Sequence, residues 1–337
     1  MTSWIETQQE IEKQGNSFDT VRRERIRKVE AITGRPLIVY ASDFINREKA
    51  AASRGGISID GNDKIGFTEV TNNIEGEDLD ILIHSPGGDP AAAESIVELL
   101  RSRYKSLRFI VPDQAKSAAT MICCAGDEIL MDEKSELGPI DPQLTLIRAD
   151  GVTISAPAQA IIDQFENAKS EIAKNPKDLP AWLPILQPLG PSLLIQCEAA
   201  DKLSRNLVET WLKNYMFREH DDAEVLSKEI TNYLADYNRH LYHGRRIGIE
   251  QLTEIGLSVS DLRNKPNLCD AIWNLYLSIS LTFNGTNSFK IIENGHGGAF
   301  IRNVIFHKVK IPVPAVQQIQ PQPISKTKRG RRGKSTK

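Results

Sequence analysis

The sequence predicts an α/β protein with a mostly parallel sheet and a functional site at the carboxyl ends of its strands. Residues 37–40, 79–84 and 107–111 are short, continuously apolar segments with the character of buried strands. Residues 91–104, between the second and third segments, carry apolar side chains at helical spacing. Strands that alternate with helices are typical of parallel sheets, which bind ligands outside the carboxyl ends of the strands.

The other elements follow in chain order. Residues 4–33 are rich in Glu, Gln, Arg and Lys and are expected to form a charged helix that ends at Gly34. Residues 43–66 are polar and contain glycine, which predicts a loop, and residues 127–131 are predicted to form a fourth strand. The second half of the chain is mainly helical in pattern, although the prolines within 176–191 exclude a single regular helix there.

These patterns predict four parts of the chain: a charged helix over 1–34, a core over 35–215, a mainly helical region over 216–311, and a disordered Gln/Pro-rich and basic tail over 312–337. With 337 residues, 40% hydrophobic and 26% charged, the composition is ordinary for a soluble protein. The net charge of −2 gives no general bias toward nucleic acid or membranes. The basic tail alone would support a weak contact with nucleic acid, although such a tail is more often a solvated, solubilising end.

The sequence gives no indication of a metal, a cofactor or a membrane anchor. The four cysteines have neither metal-ligand spacing nor a disulfide framework, which favours reduced thiols in a cytoplasmic protein. The N-terminus is polar and acidic, unlike a signal peptide, and no apolar run is long enough to span a bilayer. His240 and His243 have helical spacing but no third ligand nearby, so a metal site is not expected.

Two turns of small residues, each after a predicted strand, suggest acyl-transfer chemistry. Gly87 and Gly88 allow the backbone to turn tightly and expose its N–H groups. Ser117 has alanine neighbours and precedes a helical run, so its hydroxyl lies near a helix N-terminus that favours negative charge. Each turn alone is also typical of an ordinary connection or a helix cap. Together they predict Ser117 as a nucleophile, with the N–H groups of Gly88 and Ala118 as an oxyanion hole.

Two residues are candidates for the base that activates Ser117. Lys169 falls within the apolar stripe of a predicted helix, where lost hydration would favour the neutral amine, although a lysine at the stripe's edge can instead reach solvent. His84 ends a strand, and an ordinary histidine suits the task, but the alternation of side chains leaves its direction open. Asp141 lies between two prolines and could orient such a histidine or cap a turn; the turn is favoured.

An ordered series of motifs extends this pattern: Ser-Pro-Gly-Gly at 85–88, Lys-Ser-Ala-Ala-Thr at 116–120, Asp-Glu-Ile at 127–129 and Leu-Gly-Pro-Ile-Asp-Pro-Gln at 137–143. The series resembles the Clp-like serine proteases, most closely the serine dehydrogenase proteinase family and more distantly signal peptide peptidase A. The resemblance implies a Clp/crotonase-like spiral core, with Ser117 as nucleophile and Gly88 and Ala118 as oxyanion donors. The separation of Ser117 from Lys169 is similar to the Ser-Lys spacing of single-domain signal peptide peptidases.

The expected function is therefore a serine peptidase that cuts peptides or unfolded protein segments through a Ser117–Lys169 dyad. No cofactor is needed, and no Gly-x-Gly-x-x-Gly motif follows a strand to bind a nicotinamide. A crotonase-type acyl-CoA enzyme would share the fold but would need an acidic residue at the reacting centre. A non-catalytic scaffold or nucleic-acid-associated module would use the basic tail. Clp-like cores commonly close into rings, so the resemblance also implies a homo-oligomer.

Overall fold

The computed structural model describes residues 3–15, 17–147, 151–187, 190 and 192–306. The described residues up to 305 form one compact unit. The predicted basic tail at 312–337 lies outside the described residues.

The strands are β1 (Leu37–Ser42), β2 (Asp78–His84), β3 (Ser106–Ile110), β4 (Gln114–Ala115), β5 (Glu128–Met131), β6 (Glu136–Leu137), β7 (Gln143–Ile147), β8 (Thr153–Pro157), β9 (Val259–Asp261), β10 (Ser288–Asn294) and β11 (Ala299–Asn303). The helices are α1 (Trp4–Lys13), α2 (Phe18–Thr33), α3 (Arg47–Ala52), α4 (Gly61–Thr71), α5 (Pro90–Arg103), α6 (Ala118–Cys124), α7 (Ala158–Lys174), α8 (Leu179–Leu186), α9 (Leu193–Trp211), α10 (Ala223–Ala235), α11 (Tyr237–His240), α12 (Ile249–Glu254) and α13 (Pro266–Gly285). None of these helices has the length and hydropathy that crossing a bilayer requires.

The main sheet has seven strands in the order β11-β10-β1-β2-β3-β5-β9. The neighbours from β1 to β9 run parallel, while β10 is antiparallel to both β1 and β11. The mostly parallel α/β sheet predicted from the sequence is thereby confirmed. The mainly helical region expected after residue 215 supplies β9, β10 and β11 to this same sheet.

Helices cover both faces of the sheet. On β2, Ile81 and Ile83 pack in a hydrophobic cluster with residues of α5 and α6. Leu82, between them in sequence, packs in a second cluster with residues of α13. Successive side chains on a strand point to opposite faces, so the two clusters lie on opposite sides of the sheet. This alternation decides which polar residues at the strand ends can reach Ser117.

Two segments differ from the sequence-based expectation. The loop predicted over 43–66 contains α3 and the beginning of α4. Asn46 and Asp60 are the N-cap residues of these helices, and their side chains accept hydrogen bonds from main-chain N–H groups of the first turn. The charged helix predicted over 4–33 is divided into α1 and α2, and Gly15, with φ of 70°, ends the first of them.

Candidate active site

Ser117 occupies a strained turn between β4 and α6. Its backbone angles are φ 51° and ψ −121°, in a region that residues other than glycine rarely adopt. A backbone of this kind costs about 1–3 kcal/mol and concentrates at functional sites. The arrangement is similar to the sharp strand-to-helix turn that exposes a nucleophilic serine in other hydrolases. The side chain forms no cap hydrogen bond with α6, which leaves the hydroxyl available for chemistry.

Gly88 lies between two residues whose main-chain groups form hydrogen bonds with Ile59. The Ile59 N–H donates to the Gly87 carbonyl at 2.8 Å, and the Asp89 N–H donates to the Ile59 carbonyl at 3.0 Å. Within the described ranges the N–H of Gly88, between these two bonds, has no hydrogen-bond partner. A Cβ at Gly88 would lie 2.4 Å from the Ile59 backbone, so only glycine fits here.

The glycine turn and the serine turn touch each other. A Cβ at Gly87 would lie 2.7 Å from the Ser117 Cβ and 2.9 Å from the Ala118 nitrogen. The Ser85 N–H donates to the Gln114 carbonyl and holds the two turns side by side. The Ala118 N–H, at the first helical position, has no hydrogen-bond partner among the described residues. The two predicted oxyanion donors are therefore both unpaired and lie on adjoining segments.

The serine turn is also tied to the segment that carries Asp141. The Gly138 N–H donates to the Thr120 hydroxyl at 3.0 Å. The Lys116 ammonium donates to the Leu137 carbonyl at 3.1 Å, and burial lowers the pKa of this lysine. These bonds hold the backbone at 137–138 against α6, three residues before Asp141.

Asp141 holds a histidine that comes from a distant part of the chain. Oδ1 of Asp141 lies 2.8 Å from Nδ1 of His243, and Oδ2 accepts a hydrogen bond from the Gln143 side chain at 2.8 Å. The Asp141 carboxylate is buried, while the His243 side chain is 25% exposed. Leu137 and Ile247 exchange two main-chain hydrogen bonds of 3.0 and 3.1 Å, which bring the second segment to the first. A carboxylate at Nδ1 directs a proton to that nitrogen and leaves Nε2 free to accept another.

Ser117, Gly88 and His243 line one cavity of about 500 Å³. Apolar side chains form part of its wall: Met121, Ile140, Leu144 and Leu203. In the described part of the chain no direct hydrogen bond joins Ser117 to His243. Contacts between a nucleophile and its base are often long in unliganded enzymes and shorten when substrate binds. The cavity thus brings together the Ser117 turn, the Gly88 backbone and a histidine that is held by a buried carboxylate.

The prediction that Lys169 is desolvated is wrong. Its side chain is 66% exposed, and its ammonium lies 3.1 Å from the Glu166 carboxylate one turn away on α7. Lys169 does not line the cavity that contains Ser117. The buried stripe of α7 is formed by residues such as Ile161 and Ala168. Lys169 lies beside this stripe and extends into solvent, as long charged side chains do at apolar edges.

His84 is not in the Ser117 cavity either, because it shares the face of β2 that carries Leu82. It is 4% exposed, and its ring packs 4.8 Å from that of Phe44 and 5.1 Å from that of Tyr276. Burial lowers the pKa of His84 to about 4, and the nearby Asp113 carboxylate only partly offsets this effect. The histidine lines a different cavity, on the α13 side of the sheet.

Sequence reasoning considered His243 only as a metal ligand and so missed its place beside Asp141. The sequence also allows Asp141 to orient a histidine, but the histidine in question is His84, and a turn at Asp141 is favoured over that role. No local signal joins Asp141 to His243, since 102 positions separate them. Their contact depends on the pairing of Leu137 with Ile247.

The chain is similar to one protein family and to curated proteins. A family model described as ClpP-like SDH-type serine proteinase matches residues 56–278, a range that includes Ser117, Asp141 and His243. An uncharacterised protein of Methanocaldococcus jannaschii is 29% identical over 198 residues, covering 59% of this chain and 58% of that protein. A second uncharacterised protein of the same organism is 39% identical over 66 residues, covering 20% of this chain and 23% of that protein. The chain therefore spans less than two thirds of the length of these curated relatives. No solved structure matches it.

Proposed function

Because this chain belongs to the ClpP-like SDH-type serine proteinase family, we propose that it hydrolyses peptide bonds through an acyl-enzyme on Ser117. The observation that carries the proposal is the strained Ser117 turn, which adjoins the unpaired N–H groups of Gly88 and Ala118. A nucleophile needs a base, and His243, held by Asp141, lines the same cavity. These residues have the roles that acyl transfer to a serine requires.

In the first half of the reaction, Nε2 of His243 accepts the proton of the Ser117 hydroxyl as Oγ bonds to the substrate carbonyl carbon. The carbonyl oxygen becomes an anion and accepts hydrogen bonds from the Gly88 and Ala118 N–H groups. The C–N bond then breaks, and the imidazolium returns its proton to the leaving amine. The acyl group remains as an ester on Ser117.

In the second half, water replaces the amine. His243 takes a proton from the water as its oxygen bonds to the acyl carbon, and the oxyanion hole is filled again. The ester bond breaks, Ser117 regains its proton, and the product leaves as a carboxylic acid. Asp141 keeps Nδ1 protonated throughout and stabilises the imidazolium formed in each half.

We propose peptides or unfolded protein segments as substrates, a cytoplasmic location and a homo-oligomeric state. All four cysteines are free thiols, which suits a reducing compartment. The apolar helix α8 exposes Leu179, Leu183 and Ile185, and a cluster of exposed apolar residues favours contact with another protein surface. The weak nucleic-acid contact proposed for the basic tail concerns residues outside the described ranges.

A fluorophosphonate probe tests the proposed nucleophile directly. We expect the full-length protein to be labelled once per chain, with the added mass on the peptide that contains Ser117. Ser117→Ala should abolish labelling, while Ser135→Ala, which removes a buried hydroxyl outside the cavity, should not. Labelling of the Ser117→Ala protein to the same extent would contradict the assignment.

A further inference from the structure

A second cavity lies on the α13 side of the sheet, opposite the side that holds α6. Its volume of about 650 Å³ is in the range of small-molecule sites. The walls are formed by the segment after β1, His84 at the end of β2, the first residues of α1 and one face of α13. Ligands of parallel sheets bind outside the carboxyl ends of the strands, and this cavity occupies that position.

Aromatic side chains form much of its wall: Trp4, Trp273, Tyr276 and Phe283. The rings of Trp273 and Tyr276 lie 5.7 Å apart, and the His84 ring lies 5.1 Å from that of Tyr276. Aromatic faces carry partial negative charge, so they bind apolar groups and cations well. The wall therefore favours a ligand with an apolar body or a positive charge.

Two neighbouring polar residues beside this cavity have buried oxygens with unused hydrogen-bonding capacity. Ser42 is fully buried, and within the described ranges its Oγ has no hydrogen-bond partner. Oδ2 of Asp43 lies 3.0 Å from the Lys49 ammonium and forms an ion pair with it, but no hydrogen bond within the described ranges. The lysine donates instead to two main-chain carbonyl groups. An unsatisfied buried polar group costs about 1–3 kcal/mol, so a ligand that donates hydrogen bonds here would remove this cost.

The charges around the cavity also favour a cation. The carboxylate of Asp43 is balanced by Lys49. Asp113 accepts a hydrogen bond from the Tyr276 hydroxyl at 2.7 Å, and among the described residues no Lys or Arg lies within ion-pair distance of it. His84, 3.8 Å from Asp113, is neutral at neutral pH because burial lowers its pKa to about 4. One carboxylate thus remains unbalanced beside the aromatic wall, which favours a positive ligand.

We propose that this cavity binds a small organic ammonium ion. Its N–H groups donate to Ser42 Oγ and Asp43 Oδ2, and its apolar body lies against Trp273 and Tyr276. The site is separate from the Ser117 cavity, on the other face of the sheet, and its occupation does not depend on the proposed peptidase activity.

Isothermal titration of the full-length Ser117→Ala protein with 2-phenylethylammonium tests the proposal, with 3-phenylpropionate and 2-phenylethanol as anionic and neutral comparisons. We expect one ammonium site per chain and affinities about tenfold weaker, or more, for the other two compounds. Ser42→Ala should weaken ammonium binding about tenfold without lowering the melting temperature, because the removed hydroxyl has no partner to lose.

Ser227→Ala is the matched control, since Ser227 Oγ is also buried and unpartnered but lies on α10. Its affinity for the ammonium should equal that of the parent protein. The proposal is overturned if 2-phenylethylammonium shows no saturable binding at millimolar concentrations, if 3-phenylpropionate binds as tightly, or if Ser42→Ala leaves the affinity unchanged.

Discussion

Nδ1 of His243 lies 2.8 Å from Oδ1 of Asp141, although 102 positions separate the two residues in sequence. The carboxylate is buried and the imidazole is partly exposed to the Ser117 cavity. A ring bonded to a buried carboxylate has one fixed tautomer and one orientation. The pair therefore suits the role of base that we propose for it, whereas the exposed Lys169 does not.

The Asp141→Asn variant should lose most of its peptidase activity. The amide retains the shape of the carboxylate but can direct an N–H group at Nδ1, which would place the imidazole proton on Nε2 and prevent it from accepting the serine proton. We expect kcat to fall by a factor on the order of 10⁴. Steady-state hydrolysis of a fluorogenic peptide, with circular dichroism to verify folding, measures the effect. Activity within tenfold of the parent protein would exclude this role for Asp141.

Lys169→Ala should leave activity nearly unchanged. The lysine is exposed, pairs with Glu166 on its own helix, and does not line the Ser117 cavity. An exposed pair of this kind contributes little, about 0–1 kcal/mol, to stability. We expect kcat/KM within about twofold of the parent value in the same peptide assay. Loss of activity in a folded Lys169→Ala protein, together with an active His243→Ala protein, would restore the Ser-Lys dyad.

Ser117→Gly should be more stable than Ser117→Ala, although both should be inactive. The position requires φ of 51°, which glycine adopts freely and alanine does not. The serine side chain makes no cap hydrogen bond that either variant would lose. We expect the free energy of unfolding of the glycine variant to exceed that of the alanine variant by about 1 kcal/mol, measured by urea denaturation. Equal stabilities would mean that the turn is not strained.

Gly87→Ala should damage the site, whereas Gly61→Ala should not. A Cβ at Gly87 would lie 2.5 Å from the Lys116 carbonyl oxygen and would separate the glycine and serine turns. Gly61, the first residue of α4, has no atom within 4 Å of the added Cβ. We expect the first variant to lose activity about 100-fold or more, since misplacement by about 1 Å has effects of that size. If both variants retain full activity, the contact of the two turns is not needed for catalysis.

Protonation of His84 should destabilise the fold between pH 6.5 and about 4. Burial lowers its pKa from 6.5 to about 4 in the folded state, so in this range the unfolded chain binds the proton more readily. Stability therefore falls as the pH falls through this window, by roughly 3 kcal/mol for this group. His84→Asn, which can still accept the Gln114 N–H, should show a shallower decline than the parent protein in urea denaturation. The exposed His220→Asn is the control, and equal slopes in all three proteins would reject the prediction.

Much of the α/β core and of its serine turn could be predicted from the sequence. The strands β1, β2, β3 and β5 are short apolar segments, and such segments are recognisable without their partners. Gly88 and Ser117 were identified because a turn depends on residues within a few positions of it. The family resemblance read from the same motifs is confirmed.

The identity of the proposed base depends on contacts between segments that are distant in the sequence, and only the tertiary structure determines these contacts. Periodicity places Lys169 near the buried stripe of α7, but the packing of that helix buries Ala168 and leaves Lys169 in solvent. The alternation of side chains along β2 places His84 and Ile83 on opposite faces of the sheet, but only the topology decides which of these faces packs against α6. The pairing of Leu137 with Ile247 and the hydrogen bond from the Ile140 N–H to the Leu234 carbonyl bring His243 to Asp141. Local sequence specifies backbone conformation and the burial pattern of each element, whereas the fold determines which faces meet.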